Sequence, residues 1–158
     1  MAPEQLLDLL PKVAAAVAET AAFIRHERKH FSPSDIELKS FNDLVSYVDR
    51  EAEERLTAAC TALMPGSGFI REEGDDLRSE ADYRWIIDPL DGTTNFIHDI
   101  PAYCISLALQ YREETILGIV HDVPRDEVFS AVKRKGAWKN GEPMQVSIAK
   151  ELGRGLIA

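Results

Sequence analysis

The chain is poor in the residues that build covalent or soft-metal chemistry: its 158 residues include two cysteines, four histidines and three methionines. Cys60 and Cys104 lie far apart, each in an apolar periodic stretch, so both read as buried free thiols rather than a disulfide or half of a zinc site. His98 and His121 have no partner at metal-ligand spacing. Basic residues are also short. Eighteen Lys and Arg against 27 Asp and Glu give a net charge of −9, which opposes nonspecific attraction to nucleic acid or an anionic membrane. No stretch approaches the roughly 18 apolar residues of a membrane span, and the amino terminus lacks the pattern of a secretory signal. The expectation is a cytoplasmic protein with no nucleic-acid or membrane partner. No repeat or low-complexity tract divides it, so residues 1–158 read as a single domain.

What is present is helical first and β-like later. Leu6, Leu10, Val13, Val17, Ala21 and Ile24 recur at steps of three or four, predicting a helix from about Glu4 to Lys29 that kinks or restarts at Pro11. Arg25, His26, Arg28, Lys29 and His30 make its end basic, which complements the helix dipole. A second helix is expected from about Asn42 to Leu63. Val45, Val48, Ala52, Leu56, Ala59 and Leu63 would face inward, and Glu51, Glu53, Glu54 and Arg55 would form a solvated face. From Cys104 the pattern alternates: strands over Cys104 to Tyr111, Thr115 to His121 and Glu127 to Val132, then a hairpin at Asn140-Gly141. The fold class is α+β, two long helices packed on a mostly antiparallel sheet.

The chemistry concentrates in two acidic segments. Tyr83 to Ile87 reads as a buried strand that stops at Asp88-Pro89, where proline removes the next ladder donor. Asp91-Gly92 then turns the chain, and Gly92-Thr93-Thr94 offers amides and hydroxyls to an anion. Glu72 and Glu73 precede this run in a second strand-end segment. Oxygen ligands of this kind suit Mg²⁺, and Glu72, Asp88 and Asp91 would repel one another without a cation. The plainer alternative is that Asp88 and Asp91 only form Asx turns.

The string Trp85-Ile86-Ile87-Asp88-Pro89-Leu90-Asp91-Gly92-Thr93-Thr94-Asn95-Phe96 resembles the inositol monophosphatase family of metal-dependent, lithium-sensitive phosphatases. Asp43-Leu44-Val45-Ser46-Tyr47-Val48-Asp49, Phe69-Ile70-Arg71-Glu72-Glu73-Gly74, Tyr103 to Leu109 and Lys135 to Gly141 resemble further segments of that family in the same order. The resemblance implies the amino-terminal half of a layered αβαβα sugar-phosphatase fold. It also implies that Glu72, Asp88 and the carbonyl of Leu90 bind one Mg²⁺, that Asp88 and Asp91 bind a second, and that Glu72 reaches a third. Asp49 and Thr93 would position the attacking water, Gly92 and Thr93 amides would bind phosphate, and Lys39 would border the site. No covalent nucleophile is required.

The family's second half carries another aspartate for the second metal site, which this chain does not reach, so that site is incomplete here. A complete member would be over half as long again. The expected activity is hydrolysis of a small phosphate monoester of the inositol monophosphate type. Gly92-Thr93-Thr94 differs from the glycine-threonine-lysine and serine-serine forms of related phosphatases. Histidinol phosphate is an alternative substrate, and a noncatalytic metal-binding or interaction half-domain is the rival from another class. An apolar surface around Ile116, Ile119, Val146 and Leu156 to Ala158 would favour a homodimer.

Overall fold

A computed structural model describes residues 1–30, 36–40, 43–77, 80–148 and 151, with the backbone alone at 36–40 and 43–46. Helix α1 spans Pro3–Arg28. Proline at its start has no N–H to leave unsatisfied, and the Gln5 side chain accepts from Ala2 N at 2.7 Å. The helix continues through Pro11 without a restart. Pro11 is exposed, so water can reach the carbonyl that its missing N–H leaves. The buried stripe is Leu6, Leu9, Val13, Val17, Thr20, Ala21 and Ile24; Leu10 is half-buried and Leu9 takes the inner position.

Strands β1, Ile36–Ser40, and β2, Asp43–Ser46, pair antiparallel. The second helix, α2, therefore starts at Tyr47 rather than Asn42 and ends at Leu63. The sequence reading carried the helix too far because Val45 and Val48 fit its period, although a β-rich Asp-Leu-Val-Ser run suits a strand equally. The side chains of Lys39 and Val45 lie outside the described residues. On α2 the buried face is Val48, Asp49, Ala52, Glu53, Leu56 and Cys60. Glu53 thus departs from the solvated face expected of it and is 2% exposed.

Seven strands form one sheet in the order β3-β4-β5-β6-β7-β8-β9. They are β3 Gly68–Arg71, β4 Tyr83–Asp91, β5 Cys104–Tyr111, β6 Glu114–Asp122, β7 Glu127–Val132, β8 Gly136–Lys139 and β9 Glu142–Met144. Only β3 and β4 run parallel; every other neighbouring pair is antiparallel. The β8–β9 turn is the expected Asn140-Gly141 hairpin, with φ of 51° and 82°, the left-handed pair that a type I′ turn needs.

Alternation along β4, β5 and β6 sends Trp85, Ile87, Ile105, Leu107, Leu109, Leu117 and Ile119 into the core with α1 and α2. The basic end of α1 is used structurally: Arg25 pairs with Asp126 at 2.8 Å and Arg28 with Asp99 at 2.9 Å, tying the helix to two loops. Of the apolar surface expected at one edge, Ile116 and Ile119 are instead buried in the core; a register shift opposite Leu109 and Gln110 leaves Ile116 as the extra residue of a bulge, so residues three apart can share a face. Val146 is exposed, and Leu156 to Ala158 lie outside the described residues. Cys60 is buried as expected, whereas Cys104 is only half-buried.

Candidate active site

The parallel pair β3 and β4 brings the two acidic segments together. Arg71 is the register partner of Ile87, so Glu72, the first residue past β3, lies beside Asp88, the next residue of β4. Two strands running the same way carry their chains towards the same edge, which is how segments separated in sequence share one site.

The strand β4 does not stop at Asp88-Pro89, as the sequence suggested, but continues to Asp91. Asp88 pairs with Ser106 and Asp91 with Cys104, with a register shift between them. From Asp88 to Asp91 the strand advances three residues while β5 advances two, the signature of a β-bulge. In a regular strand, side chains three apart point to opposite faces. The extra residue turns Asp91 back to the face of Asp88, and Pro89 sits inside the bulge, where no ladder donor is needed. Cys104 Sγ lies 3.7 Å from Asp91 Oδ2. Burial first, and then the Asp91 charge, push its thiol up to about 11.

After Asp91, Gly92 adopts φ +95° and opens the short helix α3, Thr93–Ile97. A Cβ at Gly92 would stand 2.9 Å from the Ala102 carbonyl oxygen, so both the turn and the close approach demand glycine. Asn95 Nδ2 donates to the same carbonyl at 2.6 Å, and Phe96 is buried edge-on against Tyr103. The turn is therefore fastened on both sides.

Thr93 Oγ1 is 2.9 Å from Asp49 Oδ2 and 3.0 Å from the Leu90 carbonyl oxygen. Its single proton bonds one acceptor at a time. Asp49 is 3% exposed. Burial, followed by the charge of Glu73, pushes its carboxyl up to about 7, while the Thr93 hydrogen bond opposes the rise. Asp88 is also raised, by burial and then by the adjacent Glu72 carboxylate, with Asp91 adding to it. Among the described residues its buried Oδ1 has no hydrogen-bond partner, which costs free energy unless a cation or proton takes it up. Glu72 and Asp91 are exposed at the mouth. Among the described residues no group of three or more His, Cys, Asp or Glu side chains is gathered closely enough to form a ready ligand shell.

The structure thus brings together Asp49, Glu72, Asp88, Leu90, Asp91, Gly92 and Thr93. His98 is exposed just past α3 and, among the described residues, makes no hydrogen bond or ion pair to this group. Glu53 and Arg71 lie beneath the site and were missed by sequence. Arg71 Nη1 stands 3.7 Å from Glu53 Oε1. The signal available was the i,i+4 spacing of Glu53 from Asp49, which puts both on one helical face.

Two helices on a largely antiparallel sheet, with acidic side chains collected where its parallel pair ends, are the build of the layered metal-dependent phosphatases. The chain belongs to the inositol monophosphatase family, whose pattern it matches over residues 6–158. It is 33% identical over 150 residues to an inositol-1-monophosphatase of Rhizobium meliloti, covering 94% of this chain and 56% of that protein. It is 40% identical over 122 residues to the Nus factor SuhB of Pseudomonas aeruginosa, covering 75% and 45%. The crystal structure of the extragenic suppressor protein suhB from Bartonella henselae superposes with a TM-score of 0.83 at 30% identity, covering 92% of this chain and 56% of that one. The chain spans about half the length of the curated relatives it matches.

Proposed function

We propose that this chain supplies the metal-binding and water-positioning half of a Mg²⁺-dependent hydrolase of small phosphate monoesters. The observation that carries the reading is the Thr93 to Asp49 hydrogen bond, set beside a buried Asp88 oxygen that has no hydrogen-bond partner among the described residues. Glu72, Asp88, the Leu90 carbonyl and Asp91 would hold the cation, with two or three ions in a complete site. Mg²⁺ bound there would offset phosphate charge and make water easier to deprotonate.

The protein's own part is positioning. Water would donate a hydrogen bond to Thr93 Oγ1; as Thr93 passes its proton to Asp49 it takes one from the water, whose oxygen forms the new bond to phosphorus while the ester P–O bond breaks. The departing alcohol takes a proton from solvent. A carboxyl held near neutral by burial is a suitable acceptor. The first amides of α3 have no partner within the helix, and the Gly92 and Thr93 amides would bind phosphate oxygens.

The substrate class follows the family and the relatives' names: an inositol monophosphate, with histidinol phosphate as the second candidate. The same reading includes inhibition by lithium, a cytoplasmic location and a homodimer, the last checked by sedimentation. Among the described residues no helix is long and apolar enough to cross a membrane. Because the chain spans about half of its relatives, a noncatalytic cation-binding half-domain is the second reading. Phosphate release from inositol 1-phosphate and from histidinol phosphate, with Mg²⁺ and with EDTA, separates the two. Metal-dependent release that is lost in Thr93→Ala supports the enzyme. Release that is unaffected by EDTA would sink it, and Mg²⁺ binding without release would favour the second reading.

A further inference from the structure

Glu53 lies one helical turn beyond Asp49 on α2, and both are buried. An acidic side chain is rarely buried without a dedicated partner. Asp49 is explained by Thr93. Glu53 reaches the other acidic segment: its Oε2 accepts from Glu73 N at 2.8 Å, and its Oε1 faces the Arg71 guanidinium. Arg71 is itself held, donating through Nε to the Asp75 carbonyl at 2.9 Å, while its backbone N donates to Asp76 Oδ1 at 3.2 Å. The bend between them lies flat on the guanidinium. A Cβ at Gly74 would come within 2.6 Å of Arg71 Nη2, so a larger residue there would push the guanidinium from its place.

We propose that Glu53 is a positioning residue: by gripping the Glu73 amide and the Arg71 guanidinium it fixes the bend after β3, and so sets where Glu72 stands relative to Asp88. Spacing of i and i+4 on one rigid helix then locates both sides of the site at once. Asp49 holds the Thr93 turn and Glu53 holds the Glu72 bend. Glu72 is exposed at the mouth, so the anchoring of its backbone is what can limit its position. A hydrogen bond to a charged acceptor is among the stronger ones, and supports of this kind typically alter metal affinity by about 10–100-fold when removed.

The inference rests on the reading of Glu72 as a cation ligand, and the test keeps the two apart. Residue-resolved amide hydrogen exchange by NMR, in EDTA, reads the grip directly. Glu73 N–H is expected to exchange slowly in the parent chain and in Glu53→Gln, whose amide oxygen still accepts, and at least about tenfold faster in Glu53→Ala. Mg²⁺ titration calorimetry, run well below every variant's melting temperature, reads the consequence. Affinity should fall about tenfold or more in Glu53→Ala, recover to within about threefold in Glu53→Gln, and stay unchanged in the exposed control Glu54→Gln. A purely structural role would lower the melting temperature without this pattern of affinities. Should Glu53→Ala fail to fold, Glu53→Met, which fills the same space but cannot accept from the Glu73 amide, takes its place in both measurements. Equal Glu73 exchange in parent and variant overturns the proposal, as does unchanged Mg²⁺ affinity once that exchange has accelerated. If the parent itself binds no Mg²⁺, the cation reading of the site fails, and with it the inferred placement of Glu72 as a ligand, whatever the exchange shows of the grip.

Discussion

Thr93 Oγ1 lies 2.9 Å from Asp49 Oδ2 although 44 residues separate them. The contact joins the start of α3 to the first turn of α2, and each partner is placed independently, Thr93 by the bulge and glycine turn that end β4 and Asp49 by the packing of α2 on that strand. A hydroxyl so held can orient water without being consumed.

If that contact positions the attacking water, Thr93→Ala should lower kcat by about 100-fold or more with little change in KM, since the lost interaction acts in the transition state. Steady-state phosphate release checks this. A parallel loss in KM alone would assign Thr93 to substrate binding.

Asp88 is the carboxylate with the buried open oxygen, and removing its charge should weaken Mg²⁺ binding more than any other single change at the site. Calorimetry with Asp88→Asn is expected to show a loss of more than about tenfold. Binding as tight as in the parent would remove Asp88 from the metal site.

Gly92→Ala should destabilise the fold as well as the site. Gly66 and Gly92 have similar φ, +90° and +95°, but only at Gly92 does a Cβ meet backbone, at 2.9 Å. Both substitutions carry conformational strain of about 1–3 kcal/mol, and Gly92→Ala adds the clash. Its melting temperature should therefore fall further than that of Gly66→Ala, a comparison that calorimetric scanning makes directly.

Stability should depend on pH with an unusual sign. Asp49 has its carboxyl pushed up to about 7 and Asp88 is raised as well, so the folded state binds these protons more tightly than the unfolded chain. Their protonation therefore stabilises the fold at low pH, and that contribution is lost as pH rises from the ordinary carboxylate value near 4 towards about 7. In EDTA the melting temperature should rise by roughly 4 °C or more between pH 8 and pH 5. Asp49→Asn should flatten the slope, and saturating Mg²⁺ should reduce it. An equal slope in Asp49→Asn would place the effect elsewhere.

Much of the frame was legible because it is local. The 3.6-residue period of α1, the two-residue alternation of β5 to β7 and the Asn140-Gly141 turn are written in neighbouring residues, and each was found near its predicted place. The acidic string from Asp88 to Thr94 was equally readable, since few structural roles use two aspartates, a glycine and two threonines in that order.

The sequence by itself determined most of the elements, the acidic string and the family. Tertiary structure decided what those residues face. Proline marks a lost donor but does not say whether a strand ends or bulges, and pairing with β5 chose the bulge that puts Asp88 and Asp91 on one face. Glu53 looks like any surface glutamate until the bend after β3 folds over it. Asp49 and Thr93 meet only when α2 packs against β4. Period and composition fix which side of an element is apolar, whereas the partner of a polar side chain is set by elements distant in sequence, and only the assembled core brings them within hydrogen-bonding distance.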